Sequence, residues 1–171
     1  ETDLLFEELT DPRGIRFWPE DKGRDGCRTP MPWDAGNAPN GFTTGTPWLP
    51  VKYAQSALNV AGQNADPDST LAFYRAILAW RKTRPVLRLG DLVFVKTAEP
   101  VLAFRRTMGD DSLLCIFNLS AEAQDLVVAG IPERTELEPV SQHAALAGRS
   151  LQLGANGYAF VTVPAGRRIS F

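Results

Sequence analysis

The sequence predicts two regions of different character: an ordered loop closed by one amphipathic helix, then an all-β antiparallel sandwich. Three observations carry this. Pro, Gly, Asp, Asn and Trp crowd roughly the first 50 residues, apolar residues recur at helical spacing between Leu71 and Arg81, and from Val86 onward the apolar period switches to two.

The totals bound the rest. The 171 residues are 44% hydrophobic and 22% charged, with a formal net charge of -2. That is enough chain for one or two small domains with a real core. The absence of a basic excess argues against nucleic acid as a partner. No apolar run approaches the roughly 18 residues of a membrane span, so no membrane is expected. Glu1-Thr2-Asp3 shows no signal-peptide core.

In the first region, Asp11-Pro12-Arg13-Gly14 and Asn40-Gly41 read as turns. Pro19, Pro30, Pro32, Pro39, Pro47 and Pro50 forbid a long helix or a central strand. Phe17, Trp18, Trp33, Phe42 and Trp48 lie among them, which suits an ordered functional loop with aromatic anchors. A short helical piece is expected around Tyr53 to Val60.

The main helix is expected from about Pro67 to Arg84, capped by Asp66 or Asp68 and stopped by Pro85. Arg81, Lys82 and Arg84 complement the dipole at its end. Its apolar stripe takes in Leu71, Phe73, Tyr74, Ile77, Leu78 and Trp80, which cannot all face one small sheet, so one side is expected to lie exposed, to dimerise, or to be covered by a preceding stretch of chain. Strands are expected at Leu92–Val95, Val101–Arg106, Leu113–Leu119, Gln124–Val128, Thr135–Glu138, Ser150–Leu153 and Tyr158–Val163. Met108-Gly109-Asp110-Asp111 reads as a hairpin turn, and Asn156-Gly157 as another. Short strands at this spacing indicate a sandwich.

Cys27 and Cys115 are far apart and surrounded by no metal-ligand spacing, so reduced thiols in a cytoplasmic protein are expected. For Cys27 a burial role is favoured over reactivity. The one histidine, His143, is expected in a loop, which argues against a histidine triad and against zinc. No metal and no cofactor are expected.

The most informative segment is Gly23-Arg24-Asp25-Gly26-Cys27-Arg28-Thr29-Pro30-Met31-Pro32-Trp33-Asp34, followed by Gly41-Phe42-Thr43-Thr44-Gly45 and Pro47-Trp48-Leu49-Pro50-Val51. It resembles the α-glucosidase and oligo-1,6-glucosidase branch of the α-amylase superfamily. Asp11-Pro12-Arg13-Gly14-Ile15, Asn59-Val60, Asp66-Pro67-Asp68-Ser69, Trp80-Arg81-Lys82 with Pro85, and Leu89-Gly90-Asp91 extend the match in order.

The resemblance implies a fragment of a (β/α)8 barrel, its last loop and last helix, over residues 1–87, followed by an all-β antiparallel sandwich, domain C, over residues 88–171. It implies retaining hydrolysis of short α-glucosides and oligosaccharides by an Asp nucleophile and a Glu acid/base. Both lie on earlier strands of the family's barrel, and the motifs that carry them are absent here, so the chain should hold no catalytic residue. Its partner would be the N-terminal barrel portion of the same protein. What remains is substrate recognition: Arg28 is the first candidate for a residue reaching the terminal glucose, with Arg24 the competitor. Arg28 also has a bland reading, pinning the loop, and Arg24 with Asp25 that of a turn's ion pair. Trp33 and Trp48 either stack on sugar or pack the loop against the barrel.

Two other functions are compatible with the residues: a non-catalytic member of the same fold, like the ectodomains of amino-acid transporter heavy chains, and an independent carbohydrate-binding β module. Transglycosylation or isomerisation would use the same scaffold and differ in how water is excluded from the covalent intermediate.

Overall fold

In the computed structural model the described residues are 2–36 and 39–171, excepting the side chain of Tyr53. They form two compact units, residues 1–75 and 76–171, and the division falls within a helix.

The first unit is built from short pieces. The Pro12–Phe17 helix (α1) begins where a turn is expected from sequence: Pro12 occupies a first-turn position that needs no N–H, and the Asp11 carboxylate accepts the Arg13 N–H at 3.0 Å. Single 3₁₀ turns span Phe6–Glu8 and Asp25–Cys27. Helices α2 (Tyr53–Ser56) and α3 (Val60–Ala65) fill the stretch expected to hold a short helical piece. Asn59 caps α3 by accepting the Gly62 N–H at 2.7 Å. The apolar centre is small: Leu4, Leu9 and Leu49 are buried, with Trp18 against them.

The main helix, α4, runs Thr70–Thr83. It starts three residues later than Pro67, because the cap is Ser69 and neither aspartate: the Ser69 hydroxyl accepts the Ala72 N–H at 3.1 Å, while Asp66 serves the preceding turn through the Asp68 N–H. Pro85 ends α4, as expected, and also opens a further short helix, α5 (Pro85–Leu89). One side of α4 is indeed exposed, with Tyr74 at 56% and Leu78 at 50%.

The second unit carries six antiparallel strands: β1 (Asp91–Val95), β2 (Val101–Met108), β3 (Asp111–Asn118), β4 (Gln124–Val127), β5 (Gln142–Ala147) and β6 (Ser150–Thr162). They form one sheet in the order β1-β2-β3-β6-β4, with β5 also pairing β6. The expected antiparallel all-β character is observed. Three details differ. The two strands expected at Ser150–Leu153 and Tyr158–Val163 are one strand, and Asn156-Gly157 is a left-handed kink within it, with φ of 52° at Asn156. His143 sits in β5, not in a loop; it is a bulged residue with φ of 49°, and a Cβ on Gly157 would meet its carbonyl oxygen at 2.5 Å. Thr135–Glu138 makes only an isolated bridge, Leu137 to Val161, since Thr135 closes a turn onto Pro132.

The core lies on both faces of β3. Leu114 and Ile116 join Val101, Ala103, Leu151, Leu153, Ala159 and Val161 on one face. Leu113, Cys115, Phe160 and Val86 form the other, where Ile77 and Trp80 of α4 pack against them. Burial pushes the Cys115 thiol up to about 12, so it stays protonated and acts as a small apolar side chain. β3 is therefore central, and its residues are apolar on both faces.

Candidate functional site

The Arg24–Arg28 segment is the site to which the sequence points, and two carboxylates organise it. Asp25 is fully buried. Its Oδ2 accepts the Thr10 N–H at 2.6 Å, the Asp11 N–H at 2.7 Å and the Thr10 hydroxyl at 3.1 Å. Its Oδ1 is buried without a hydrogen-bond partner and lies 3.9 Å from Arg28 Nη1. Burial pushes the Asp25 carboxyl up, but the Thr10 and Asp11 donors and the Arg28 charge outweigh it and hold the group below the usual carboxylate range.

Asp11 is the second organiser. While Oδ1 caps α1, Oδ2 accepts the Arg24 N–H at 3.0 Å and lies 3.3 Å from Arg28 Nη1. Gly23 and Gly26 allow this closeness. Gly23 has φ of +70°, and a Cβ there would meet Asp11 Cγ at 2.9 Å; at Gly26 it would meet the Thr2 carbonyl oxygen at 2.5 Å.

The two candidate arginines are thereby distinguished. The guanidinium of Arg28, with its side chain 45% exposed, bridges Asp11 and Asp25. Arg24 is fixed through its main chain: the N–H binds Asp11, and the carbonyl accepts the Cys27 N–H at 3.2 Å and the Cys27 thiol at 3.0 Å. Its side chain is exposed, and among the described residues its guanidinium has no hydrogen bond or ion pair. The ion pair expected between Arg24 and Asp25 is thus replaced by one between Arg28 and Asp25. Cys27 is exposed, contrary to the burial expected, because its thiol turns back onto the carbonyl of its own turn.

An open hollow beside this turn is lined by Gly26, Cys27, Thr29, Pro30, Met31 and Lys52, among others; neither arginine lines it. Trp33 and Trp48 are 50% and 68% exposed. His143 and the Asp110-Asp111 pair lie in the second unit, the latter at the β2–β3 turn. Among the described residues no group of three or more His, Cys, Asp or Glu is placed to hold a metal ion, and no helix is long and apolar enough to cross a membrane. Asp11 and Asp25 were not expected as organisers. Asp11-Pro12 carried a legible helix-start signal, whereas nothing near Asp25 in sequence marks it for burial, since its donors come from Thr10 and Asp11.

The sequence profile described as the α-amylase catalytic domain matches residues 2–90, just over half of the chain. The chain belongs to the α-amylase family. It is similar to the probable α-glucosidase of Rhizobium meliloti strain 1021, 44% identical over 143 residues, which are 84% of this chain and 25% of that protein. The oligo-1,6-glucosidase of Parageobacillus thermoglucosidasius is 38% identical over 58% of this chain and 18% of its own length. Among solved structures, the α-glucosyl transfer enzyme XgtA superposes with a TM-score of 0.82 at 44% identity, over 95% of this chain and 30% of that one. The chain therefore spans a quarter or less of the length of these curated relatives.

Proposed function

We propose that the chain is the C-terminal part of a retaining α-glucosidase acting on short α-glucosides and oligosaccharides. In this reading residues 1–87 are the last loop and helix of a catalytic barrel, and residues 88–171 are the β-sandwich that follows it in the chain. The barrel's earlier strands supply the nucleophile and the acid/base, and this chain supplies recognition. The observation that carries the proposal is the Arg24–Arg28 turn: two charged side chains on an ordered loop, one braced by the buried Asp25 and the partly buried Asp11, the other free.

That difference supports a division of roles. Arg28 braces the loop. Arg24 presents an unpaired guanidinium from a fixed main chain, and its planar fork suits a carboxylate and a sugar hydroxyl together. Arg24 is thus the residue proposed to reach the terminal glucose, with Arg28 as its support. The partners are the preceding barrel portion and the glucoside. The name of the XgtA relative favours a second outcome on the same scaffold, transfer of glucose to an acceptor other than water.

The test is turnover of p-nitrophenyl α-glucoside. The 171-residue chain should release no p-nitrophenol, and a polypeptide extended upstream through the barrel should release it. Turnover by the chain alone, with contaminating glucosidase excluded, would overturn the proposal that bond cleavage lies elsewhere. An inactive extended polypeptide would overturn the α-glucosidase reading.

A further inference from the structure

We infer that Asp25 is a positioning residue for substrate, acting through Arg24; the inference rests on the α-glucosidase reading above. The main chain of Arg24 is held on both sides. Its N–H is taken by Asp11, its carbonyl by Cys27, and the carboxylate of the next residue is locked onto the Thr10 and Asp11 amides. The guanidinium is left free. An arginine whose root is fixed in advance loses less freedom when its head binds a ligand.

The chemistry asks for a carboxylate at this position. Three donors converge on Oδ2, and Oδ1 faces the Arg28 cation at 3.9 Å with no donor of its own. An amide of the same size turns its NH₂ either toward the Thr10 and Asp11 donors or toward Arg28. The first orientation breaks the tie across residues 10–28 that fixes the root of Arg24; the second keeps an oxygen on those donors but sets an NH₂ against the Arg28 cation and removes the charge that holds it. A carboxylate needed only for folding would make a different prediction: activity would fall with the folded fraction, and Arg24 would be irrelevant to the loss.

The experiment is a double-mutant cycle in the extended enzyme, with kcat and KM measured on p-nitrophenyl α-glucoside. Asp25→Asn and Arg24→Ala should each raise KM about tenfold or more, with kcat changed less than about threefold, the signature of lost binding shared by ground and transition states. The double variant should be no worse than Arg24→Ala alone, because Asp25 acts through that side chain. Losses that multiply in the double variant would overturn the inference, as would a natively folded Asp25→Asn enzyme with unchanged KM. Should Asp25→Asn fail to fold, Thr10→Val removes only the hydroxyl contact to Oδ2; it should raise KM about two- to fivefold, and an unchanged KM would equally overturn the inference. A wild-type extended enzyme without turnover is the distinct result in which the functional reading fails and this one falls with it.

Discussion

Residues 76–171 bury apolar side chains on both faces of β3, whereas residues 2–75 bury Leu4, Leu9 and Leu49 and otherwise depend on polar side chains that tie loops together. The difference follows from where backbone groups find partners. In the sheet the ladder satisfies N–H and C=O groups, so side chains are free to be apolar. In the loop region side chains must serve as those partners, and Asp11, Asp25, Asn59 and Ser69 do so. Each unit also buries a carboxylate. Asp25 gathers donors from Thr10 and Asp11, 15 and 14 residues away within the same loop region. Glu138 gathers Trp80 Nε1 at 3.3 Å, Arg84 Nη2 and Thr162 Oγ1 at 2.7 Å, three residues distant in sequence. Asp25 thus stabilises a segment, and Glu138 stabilises a unit.

The largest effect that could break this comparison is expected in the sheet. Leu114 is fully buried at the centre of β3. Leu114→Ala should cost about 3 kcal/mol, the loss of transfer energy plus the cavity left behind. Urea unfolding followed by far-UV circular dichroism measures the loss. Amide exchange then localises it: protection should fall along β3 and β6, while the Thr10 and Asp11 amides on Asp25 should keep theirs. If those two amides lose protection in parallel, the units do not behave as separately stabilised bodies.

Much of this architecture was legible in the sequence, and the failures have physical reasons. Periodicity found α4 and most of β1 to β4, because those strands alternate or run apolar between clear turns. Strand β5 was missed, although Gly148 and Arg149 form a two-residue hairpin loop between it and β6; the strand is short and mostly exposed, and its alanines carry little strand signal. The single long β6 was divided because Asn156-Gly157 looks like a hairpin turn from sequence alone. Only the opposing bulge at His143 shows why the kink stays within one strand. At the candidate site, Arg24 and Arg28 were both visible as residues, yet their different contacts depend on Asp11 folding back across the turn, a contact spanning 13 residues or more that no local pattern encodes.

The second effect sharpens the contrast between the carboxylates. Burial pushes the Glu138 carboxyl up, but the Thr162, Arg84 and Trp80 contacts outweigh it and hold it below its usual range. The folded state therefore binds a proton at Glu138 less readily than the unfolded state does. Its contribution is present in full above the ordinary carboxylate value of about 4.3 and is lost as pH falls through the lower folded value. Glu138→Gln keeps the size but removes the charge, and should cost about 2 kcal/mol near neutrality. Melting temperatures of wild type and variant between pH 7 and pH 3 should converge toward the acid end. A gap that stays constant across that range would mean that the carboxylate's charge contributes nothing.

The smallest effect separates two uses of the same backbone conformation. Gly23 and Gly109 both have positive φ, +70° and +59°, but a Cβ at Gly23 would collide with Asp11 and the Gly14 nitrogen, whereas at Gly109 it would meet nothing within 4 Å. Gly109 occupies the first central position of the two-residue loop joining Met108 to Asp111, a place where hairpins favour glycine for its torsion alone. Gly109→Ala should therefore cost only the strain of a left-handed L-residue, about 1 kcal/mol, and Gly109→Asn less, because asparagine tolerates that region. Thermal melts of the two variants measure the difference. A loss well beyond about 2 kcal/mol at Gly109, or no recovery with asparagine, would mean that this turn is held by packing in the way the loop around Gly23 is, and that the sheet unit is less purely apolar in its construction than its core implies.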